Sequence, residues 1–274
     1  MENYTEKLVE WDDLEFPDTI YKYRTWDDVN HKTIISQKQV YMSPPLGFED
    51  PYDCKNHIRY DILKHEEIFA KYYMESQRLS PQLPHGEHMK FAQYWFKRSP
   101  LHDKEYIKAQ QELDFTKYND RLGILSLTAN PIKHEMWEKY SADYAGFCVG
   151  FNSKIMFKRL GGGCPVNYCD ELPIIKPSPW DNHSVQIIKQ VYYKLRKWDF
   201  EDEYRTEIFN IEPLNKEDRV IVLPPDAYKE IIFGQKISKQ NKNEIINIVK
   251  QTLPHVTFRQ VAKTGNEITL NAMD

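Results

Sequence analysis

The sequence predicts an α+β fold built around a mostly antiparallel sheet. Short apolar, β-branched and aromatic runs lie towards both ends of the chain, and helical periodicity is concentrated between them, so strands and helices are segregated rather than strictly alternating. Of the 274 residues, 41% are hydrophobic and 14% aromatic, which suffices for the core of one large domain spanning residues 1–274.

The N-terminal region predicts two strands and a short helix. Residues 1–18 are acidic and aromatic and are expected to form a loosely packed arm. Strands are predicted at 20–24 and 39–43, with a helix at 29–37 between them. Prolines and a glycine in 44–51 break both helical and strand ladders, so we expect irregular structure there.

Residues from about 58 to 115 predict a helical insertion between strands. Ile62, Phe69 and Tyr73 recur at the spacing of one helix face. Prolines in 80–86 interrupt this pattern. The helices predicted beyond the interruption lie at 89–96 and 106–113.

The second half of the chain predicts most of the strands and three helices. Ser178, Pro179 and Asp181 have the capping pattern of a helix start. The other two helices are predicted to begin at Pro131 and after Ser238. The buried stripe of the helix that follows Ser178 is predicted to contain Val185, Ile188, Tyr192 and Leu195. Strands are predicted at 123–128, 146–151, 203–211, 220–223, 230–233, 256–261 and 267–271.

Charge and composition exclude several classes of protein. The net charge of −4 argues against a broadly basic surface, although a local basic groove for nucleic acid stays open. No apolar run approaches the roughly 20 residues of a membrane helix, and the N-terminus lacks a signal-peptide layout, so we expect a cytoplasmic protein without membrane contact. Cys164 and Cys169 lack zinc-site spacing, and we expect no bound metal and four free thiols.

Glu201 and Glu203 are the strongest candidates for a functional site. If the run 197–205 is extended, residues two apart point to one side, which places both carboxylates at one site with Arg205 beside them. Adjacent carboxylates repel, so such a pair indicates either a bound partner or a chemical task. The alternative is an edge strand on which Arg205 and nearby lysines neutralise the acids.

Other candidates depend more on context. Arg24 ends a predicted strand and has the side chain best shaped to bind a phosphate with two donors. Trp137 and Tyr140 share a helix face, where packing in the core and stacking on a ligand are both consistent with the spacing. Asp50 and Asp53 are typical of turn-capping acids.

Several segments, taken in order, resemble a widespread bacterial family of domains of unknown function that occurs in phage-defence and toxin–antitoxin contexts. They include Tyr-Lys-Tyr-Arg24, Phe-Glu-Asp-Pro-Tyr-Asp53 and Trp-x-Phe-Glu-x-Glu-Tyr-Arg205. The resemblance covers the chain from about residue 20, apart from 58–115. The full set of matching segments is 21–24, 41–43, 48–53, 125–128, 136–140, 146–151, 198–205 and 230–234.

That family in turn resembles the ADP-ribosyltransferase superfamily, which implies NAD as cofactor and a split, mostly antiparallel sheet pair around a central cleft. Arg24 matches the first-strand position of the superfamily, and Glu201-x-Glu203 matches its later-strand motif. The resemblance also implies that Arg24 lies within a few ångströms of Glu203. Ser126-Leu-Thr128 matches the middle motif but lacks its final serine. The cofactor-binding residues it implies are Arg24, Tyr23, Tyr41, Ser43, Ser126, Thr128, Trp137 and Tyr140.

The implied activity is that of an NAD-dependent mono-ADP-ribosyltransferase, of the toxin or anti-phage effector type. Glu203 would stabilise the oxocarbenium-like ribose, and Glu201 would orient or deprotonate the acceptor. The acceptor is either a nucleic acid, RNA or DNA, or a protein, and an antitoxin partner is a further implication. Three alternatives stay open: an NAD glycohydrolase, a metal-dependent nuclease that recruits Asp50 and Asp53, and a non-catalytic sensor or partner-binding module.

Overall fold

The computed structural model describes residues 14–265 and 267–273 and confirms an α+β protein with a large, mostly antiparallel sheet. Most of the predicted arm, residues 1–13, lies outside this range. Within the described residues, no helix combines the length and the apolar character needed to cross a bilayer.

The strands follow the short apolar runs of the sequence. β1, for example, has buried residues at Ile20, Tyr21 and Tyr23 among half-buried ones, and β4 is buried along nearly its whole length. The strands, β1 to β12 in chain order, are Thr19–Arg24, Gln39–Tyr41, Leu122–Thr128, Phe147–Asn152, Cys164–Pro165, Asn167–Cys169, Tyr193–Leu195, Glu203–Phe209, Val220–Val222, Tyr228–Phe233, Thr257–Thr264 and Glu267–Ala272.

Eight strands form one sheet in the order β12-β11-β10-β4-β1-β3-β8-β5, in which β10 and β11 are the parallel neighbours. β1 pairs with β4 along six residues, but it meets β3 at one pair, Tyr21 opposite Thr128. The sheet therefore opens between β1 and β3. The expected pair of sheets is here a single sheet with this narrow junction, and β2–β9 and β6–β7 form two further small sheets.

Eight α-helices flank the sheet within the described residues. Several begin at a polar cap, since the Ser238 hydroxyl accepts from Asn241 N and the Asp103 carboxylate accepts from Glu105 N. The helices, α1 to α8 in chain order, are Val29–Ser36, His65–Leu79, His85–Lys97, Lys104–Arg121, His134–Tyr140, Ser153–Leu160, His183–Val191 and Lys239–Thr252.

The core lies on both faces of the sheet. One face of β1, β3 and β4 packs against α1, α6 and α8 through a cluster that includes Ile20, Leu125 and Val149. The other face packs Tyr23 and Trp137 in an edge-to-face contact with ring centroids 4.9 Å apart. The region predicted as a helical insertion contains α2, α3 and most of α4, which surround a small cluster of their own.

Two parts of the predicted pattern are wrong. The helix predicted from Ser178 begins at His183, because Asn182 provides the cap and Asp181 instead binds Lys189. That helix ends at Val191, so Tyr192 and Leu195 do not belong to its buried stripe. The run predicted to be extended from 197 is a 3-10 helix, Arg196–Glu201, and the strand begins at Glu203.

Candidate functional site

A cavity of about 380 Å³ lies where β1 and β3 separate. Its walls come from β1, β3, β7, α5, the 3-10 helix Arg196–Glu201 and the turn around Asp50. This volume lies within the range of about 300–1,000 Å³ that is typical of small-molecule sites. The charged and titratable residues of its lining include Lys22, Arg24, His31, Glu49, Asp50, Asp53, Lys139, Lys194, Glu201 and Glu203, and Ser126 adds a hydroxyl.

Lys194 of β7 is the centre of a buried acidic cluster. Its Nζ lies 3.0 Å from Glu203 Oε2 and 3.3 Å from Asp53 Oδ2, and it also binds Glu201 Oε2. Only 7% of the Lys194 side chain is exposed. One ammonium group therefore holds three carboxylates together, one from the turn around Asp50 and two from residues 201 and 203 on either side of Asp202.

Arg205 is the second cation of this cluster. Its Nε donates to Glu203 Oε1 at 2.7 Å, and its Nη2 donates to Asp53 Oδ2 at 2.8 Å and to Glu203 Oε2 at 3.0 Å. Nη1 also donates to the Val191 carbonyl at 2.6 Å. Both oxygens of Glu203 thus accept from Arg205, an arrangement that fixes the carboxylate and offsets part of its desolvation. We name Asp53, Lys194, Glu201, Glu203 and Arg205 the acidic wall.

The local backbone explains how Glu201 and Glu203 meet although they are not on one strand. Asp202 has a left-handed conformation with φ of 41°, which links the 3-10 helix to β8. Glu201 ends the helix and Glu203 begins the strand. The predicted convergence of the two carboxylates is found, but through a turn and Lys194 rather than through strand alternation.

Burial and neighbouring charges move the pKa values of the two carboxyls in opposite directions. Burial alone would raise the pKa of Glu203, but the charges of Arg205 and Lys194 outweigh it, and the pKa lies well below its usual range. Burial raises the pKa of Glu201, where Lys194 opposes the shift and the charge of Glu203 adds to it. Tyr140 also donates to Glu201 Oε1 at 2.5 Å. Such a separation distinguishes an ionised group from a proton-exchanging one.

Two basic side chains, Lys22 and Arg24, also line the cavity, and we name them the basic wall. Lys22 Nζ donates to the Ser126 carbonyl at 2.5 Å, and Arg24 Nη1 donates to the Tyr23 carbonyl at 3.2 Å. Burial lowers the pKa of Arg24 to about 10. Among residues 14–265 and 267–273, neither cation makes an ion pair within 4.0 Å. The basic wall is therefore electrostatically suited to an anionic ligand.

An aromatic residue, Trp198, also lines the cavity. Trp198 donates from Nε1 to Asp50 Oδ2 at 2.5 Å, and Lys139 Nζ lies 3.9 Å from its ring centroid. The Asp50 carboxylate and the Lys139 ammonium group therefore fix the position of the indole in the cavity lining.

The cavity brings together seven of the ten residues predicted for the site. Arg24 and Glu203 line the same cavity. A separation of a few ångströms between them stays a prediction. The predicted residues that line the cavity are Tyr23, Arg24, Ser126, Thr128, Tyr140, Glu201 and Glu203.

Three predicted residues lie elsewhere. Tyr41 is 38% exposed and pairs with Val220 in the small β2–β9 sheet. Ser43 exchanges two backbone hydrogen bonds with Ile124 and supports β3. Trp137 is fully buried, donates from Nε1 to the Pro131 carbonyl and stacks on Tyr144, so it belongs to the core.

Sequence reasoning missed Lys194 and Lys22. Each is a single charged residue within an apolar or aromatic run, Val-Tyr-Tyr-Lys-Leu and Ile-Tyr-Lys-Tyr, and a buried lysine in such a run requires a partner. A lysine within an apolar run therefore indicates a buried charge, but it does not identify the groups that Lys194 and Lys22 bind. Asp53 was considered mainly as a turn-capping acid, and it instead binds both Lys194 and Arg205.

Comparisons of the chain with protein-family models, with curated proteins and with solved structures find no match. Within the part of the chain that the structure describes, no group of three or more His, Cys, Asp or Glu side chains has the arrangement of a metal site.

Proposed function

We propose that this cavity binds NAD and that the protein is an NAD-dependent mono-ADP-ribosyltransferase. One observation carries the proposal: two carboxyls with oppositely shifted pKa values line the same cavity as the Arg24 guanidinium, which has no ion-pair partner among the described residues. Cleavage of a glycosidic bond in a dinucleotide needs a fixed negative charge near the ribose, a proton acceptor beside it and a cation for the phosphates.

Glu203 supplies the fixed charge in this proposal. Its carboxylate is ionised and oriented by Arg205 and Lys194, and the Ser126 hydroxyl is a further hydrogen-bond donor to it. When the C–N bond between nicotinamide and ribose breaks, the electron pair leaves with nicotinamide and positive charge develops on the ribose. A carboxylate already oriented towards that charge stabilises the transition state more than the ground state.

Glu201 is the proton acceptor. Its raised pKa brings it closer to neutral pH than an ordinary glutamate, which suits general-base catalysis. The acceptor molecule forms the new bond to the ribose carbon, and its proton passes to Glu201. Tyr140 holds Glu201 in place through its 2.5 Å hydrogen bond.

Arg24 binds the phosphates, since its guanidinium is half-buried, lines the cavity and lacks an ion-pair partner among the described residues. Tyr23 and Tyr140 offer ring surfaces along the same walls. We also propose the relationship to ADP-ribosyltransferases at the level of fold, supported by the narrow β1–β3 junction and by the placement of Arg24, Ser126 and Glu203 around it.

The alternatives differ in how well this arrangement suits them. An NAD glycohydrolase would use the same groups with water as acceptor. A metal-dependent nuclease fits less well, because the space among Asp53, Glu201 and Glu203 contains the ammonium group of Lys194. For the transferase, a nucleic acid or a protein acceptor and an antitoxin partner remain part of the proposal.

The proposal is tested by incubating the protein with NAD labelled in its adenylate part and measuring nicotinamide release together with label in protein, DNA and RNA. Glu203→Gln is expected to lower nicotinamide release by about 100- to 1,000-fold. The control is Glu230→Gln, which removes a carboxylate that is 12% exposed, pairs with Arg259 and lies outside the cavity lining.

Because Glu203 is also a structural ion-pair partner, both variants are assayed well below their melting temperatures. Release without transfer to any fraction would assign the glycohydrolase. Near-wild-type release by Glu203→Gln would remove Glu203 from the chemistry, and no NAD turnover by the wild-type protein would contradict the proposed function.

A further inference from the structure

Lys22 is a buried amine that the proposed reaction does not use. It lies in the middle of β1, lines the cavity and donates from Nζ to the Ser126 carbonyl across the gap between β1 and β3. Arg24, two residues along the strand, projects to the same side as Lys22 and lines the same cavity. A nucleophilic nitrogen and a phosphate-binding side chain thus share one wall.

The surroundings of Lys22 favour its neutral form. Burial lowers its pKa most strongly, and the charges of Arg24 and Lys194 lower it further. The carboxylates of Glu203 and Glu201 act in the opposite direction but do not restore the ordinary value, so the pKa lies well below 10.5. A neutral lysine amine is the nucleophile of imine-forming sites, and burial beside another cation is a known way to produce one.

We infer that Lys22 forms a reversible imine with a phosphorylated aldehyde that Arg24 holds in this cavity. The two residues of the basic wall define the class of ligand. The Lys22 amine reacts with a carbonyl carbon, and the Arg24 guanidinium, two residues away, binds an anion. This activity goes beyond the proposed glycosyl transfer and does not require it. In this activity Lys22 forms a covalent bond to the ligand, a role beyond its hydrogen bond to the Ser126 carbonyl.

The step balances without an oxidant or reductant. The lone pair of Lys22 Nζ attacks the carbonyl carbon, and the resulting carbinolamine loses its hydroxyl as water to give the C=N bond. The departing hydroxyl takes its proton from the carboxyl of Glu201, which lines the same cavity. The proton lost from the nitrogen returns to Glu201, so the net reaction is amine plus aldehyde giving imine plus water.

The test uses pyridoxal 5′-phosphate as probe, with sodium cyanoborohydride to reduce any imine and peptide mapping to locate the product. At pH 7 we expect one adduct per chain, at Lys22, formed at least about 10-fold faster than at the half-exposed Lys197, because each unit of pKa depression raises the neutral fraction tenfold. Pyridoxal without phosphate should react more slowly at Lys22, and Arg24→Gln should remove that difference.

Lys22→Arg is the matched variant, because it keeps a long side chain able to donate to Ser126 O but cannot form an imine. It should abolish the adduct while its melting temperature stays near that of the wild type, and Lys22→Met repeats the test without the cation. Label spread over exposed lysines with Lys22 unmodified overturns the inference, as does equal reactivity of both aldehydes at Lys22. None of these readouts involves nicotinamide release, so failure here is distinct from failure of the proposed function.

Discussion

The acidic and basic walls of the cavity differ in how their charges are satisfied. Glu203 and Asp53 share the ammonium of Lys194 and the guanidinium of Arg205, and each of these side chains is at most 7% exposed. In the basic wall, Lys22 and Arg24 donate to backbone carbonyls and have no ion pair within the described residues.

The acidic wall is thus held in place by its own ion pairs, whereas the charge of the basic wall can be paired by a bound ligand. Buried charges are tolerated when they are paired, so the acidic wall can stay rigid and ionised without any bound molecule. The desolvation of the Arg24 guanidinium without an ion-pair partner among the described residues is costly, and an anion offsets that cost on binding. Substitutions in the acidic wall should therefore affect stability most, and substitutions in the basic wall should affect binding most.

The largest expected effect is that of Arg205→Met on stability. It leaves Glu203 and Asp53 without their guanidinium partner in a buried site, which should reduce the free energy of unfolding by about 3–5 kcal/mol. Denaturant unfolding measures this. Arg196→Met is the control, because Arg196 and Asp170 form an exposed pair worth less than about 1 kcal/mol. Similar costs for both variants would contradict the organised acidic wall.

The same pairs predict how stability depends on pH. The pKa of Glu203 is lower in the folded protein than in the unfolded chain, so its pairing contributes fully above about 4.5 and is lost as the pH falls towards the depressed value. The difference in stability between wild type and Glu203→Gln should therefore be large at pH 7 and shrink below pH 4.5. A difference that stays constant down to pH 3 would contradict this assignment.

The next effect concerns Glu201 and the pH profile of transfer. Because a general base must be deprotonated and the pKa of Glu201 is raised, the rate should increase with pH along a limb that lies above the ordinary value of 4.5. Glu201→Gln should lower transfer by about 100-fold and remove that limb. A limb that persists unchanged in the variant would assign the proton transfer to another group.

A smaller effect is expected when the basic wall is altered. Arg24→Gln removes the unpaired guanidinium and should weaken NAD binding by about 10- to 100-fold, the loss of a charge-assisted hydrogen bond, while the melting temperature changes little. Calorimetric titration measures the affinity. Arg259→Gln, at a 39% exposed side chain that pairs with Glu230, is the control and should bind NAD normally. Unaltered binding by Arg24→Gln would show that the walls do not differ as described.

The smallest effect is expected at Tyr41. Its ring is 38% exposed and lies outside the cavity lining, so Tyr41→Ala should leave NAD binding and turnover unchanged and alter stability by less than about 0.5 kcal/mol. Loss of binding in this variant would extend the site to the β2–β9 sheet.

Local patterns predicted those parts of the molecule that short-range interactions decide. Strand β1 and helix α8 could be predicted because hydrophobic periodicity and capping act within a few residues. In α8 the signals are the Ser238 cap and the buried Ile245 and Val249. The start of α7 was misplaced because Asn182 and Ser178 both carry cap-forming side chains, and the contact of Asp181 with Lys189 selects between them.

The sequence by itself determined that Glu201, Glu203 and Arg205 would lie together, since they are separated by at most four positions. Only the tertiary structure decided that Lys194 and Asp53 join them, because these contacts depend on the parallel pairing of β6 with β7 and on the turn around Asp50. Likewise, the opening between β1 and β3, where Lys22 and Arg24 line the same cavity as this cluster, follows from strand register. Register and long-range ion pairs depend on the packing of distant segments, which no local pattern encodes.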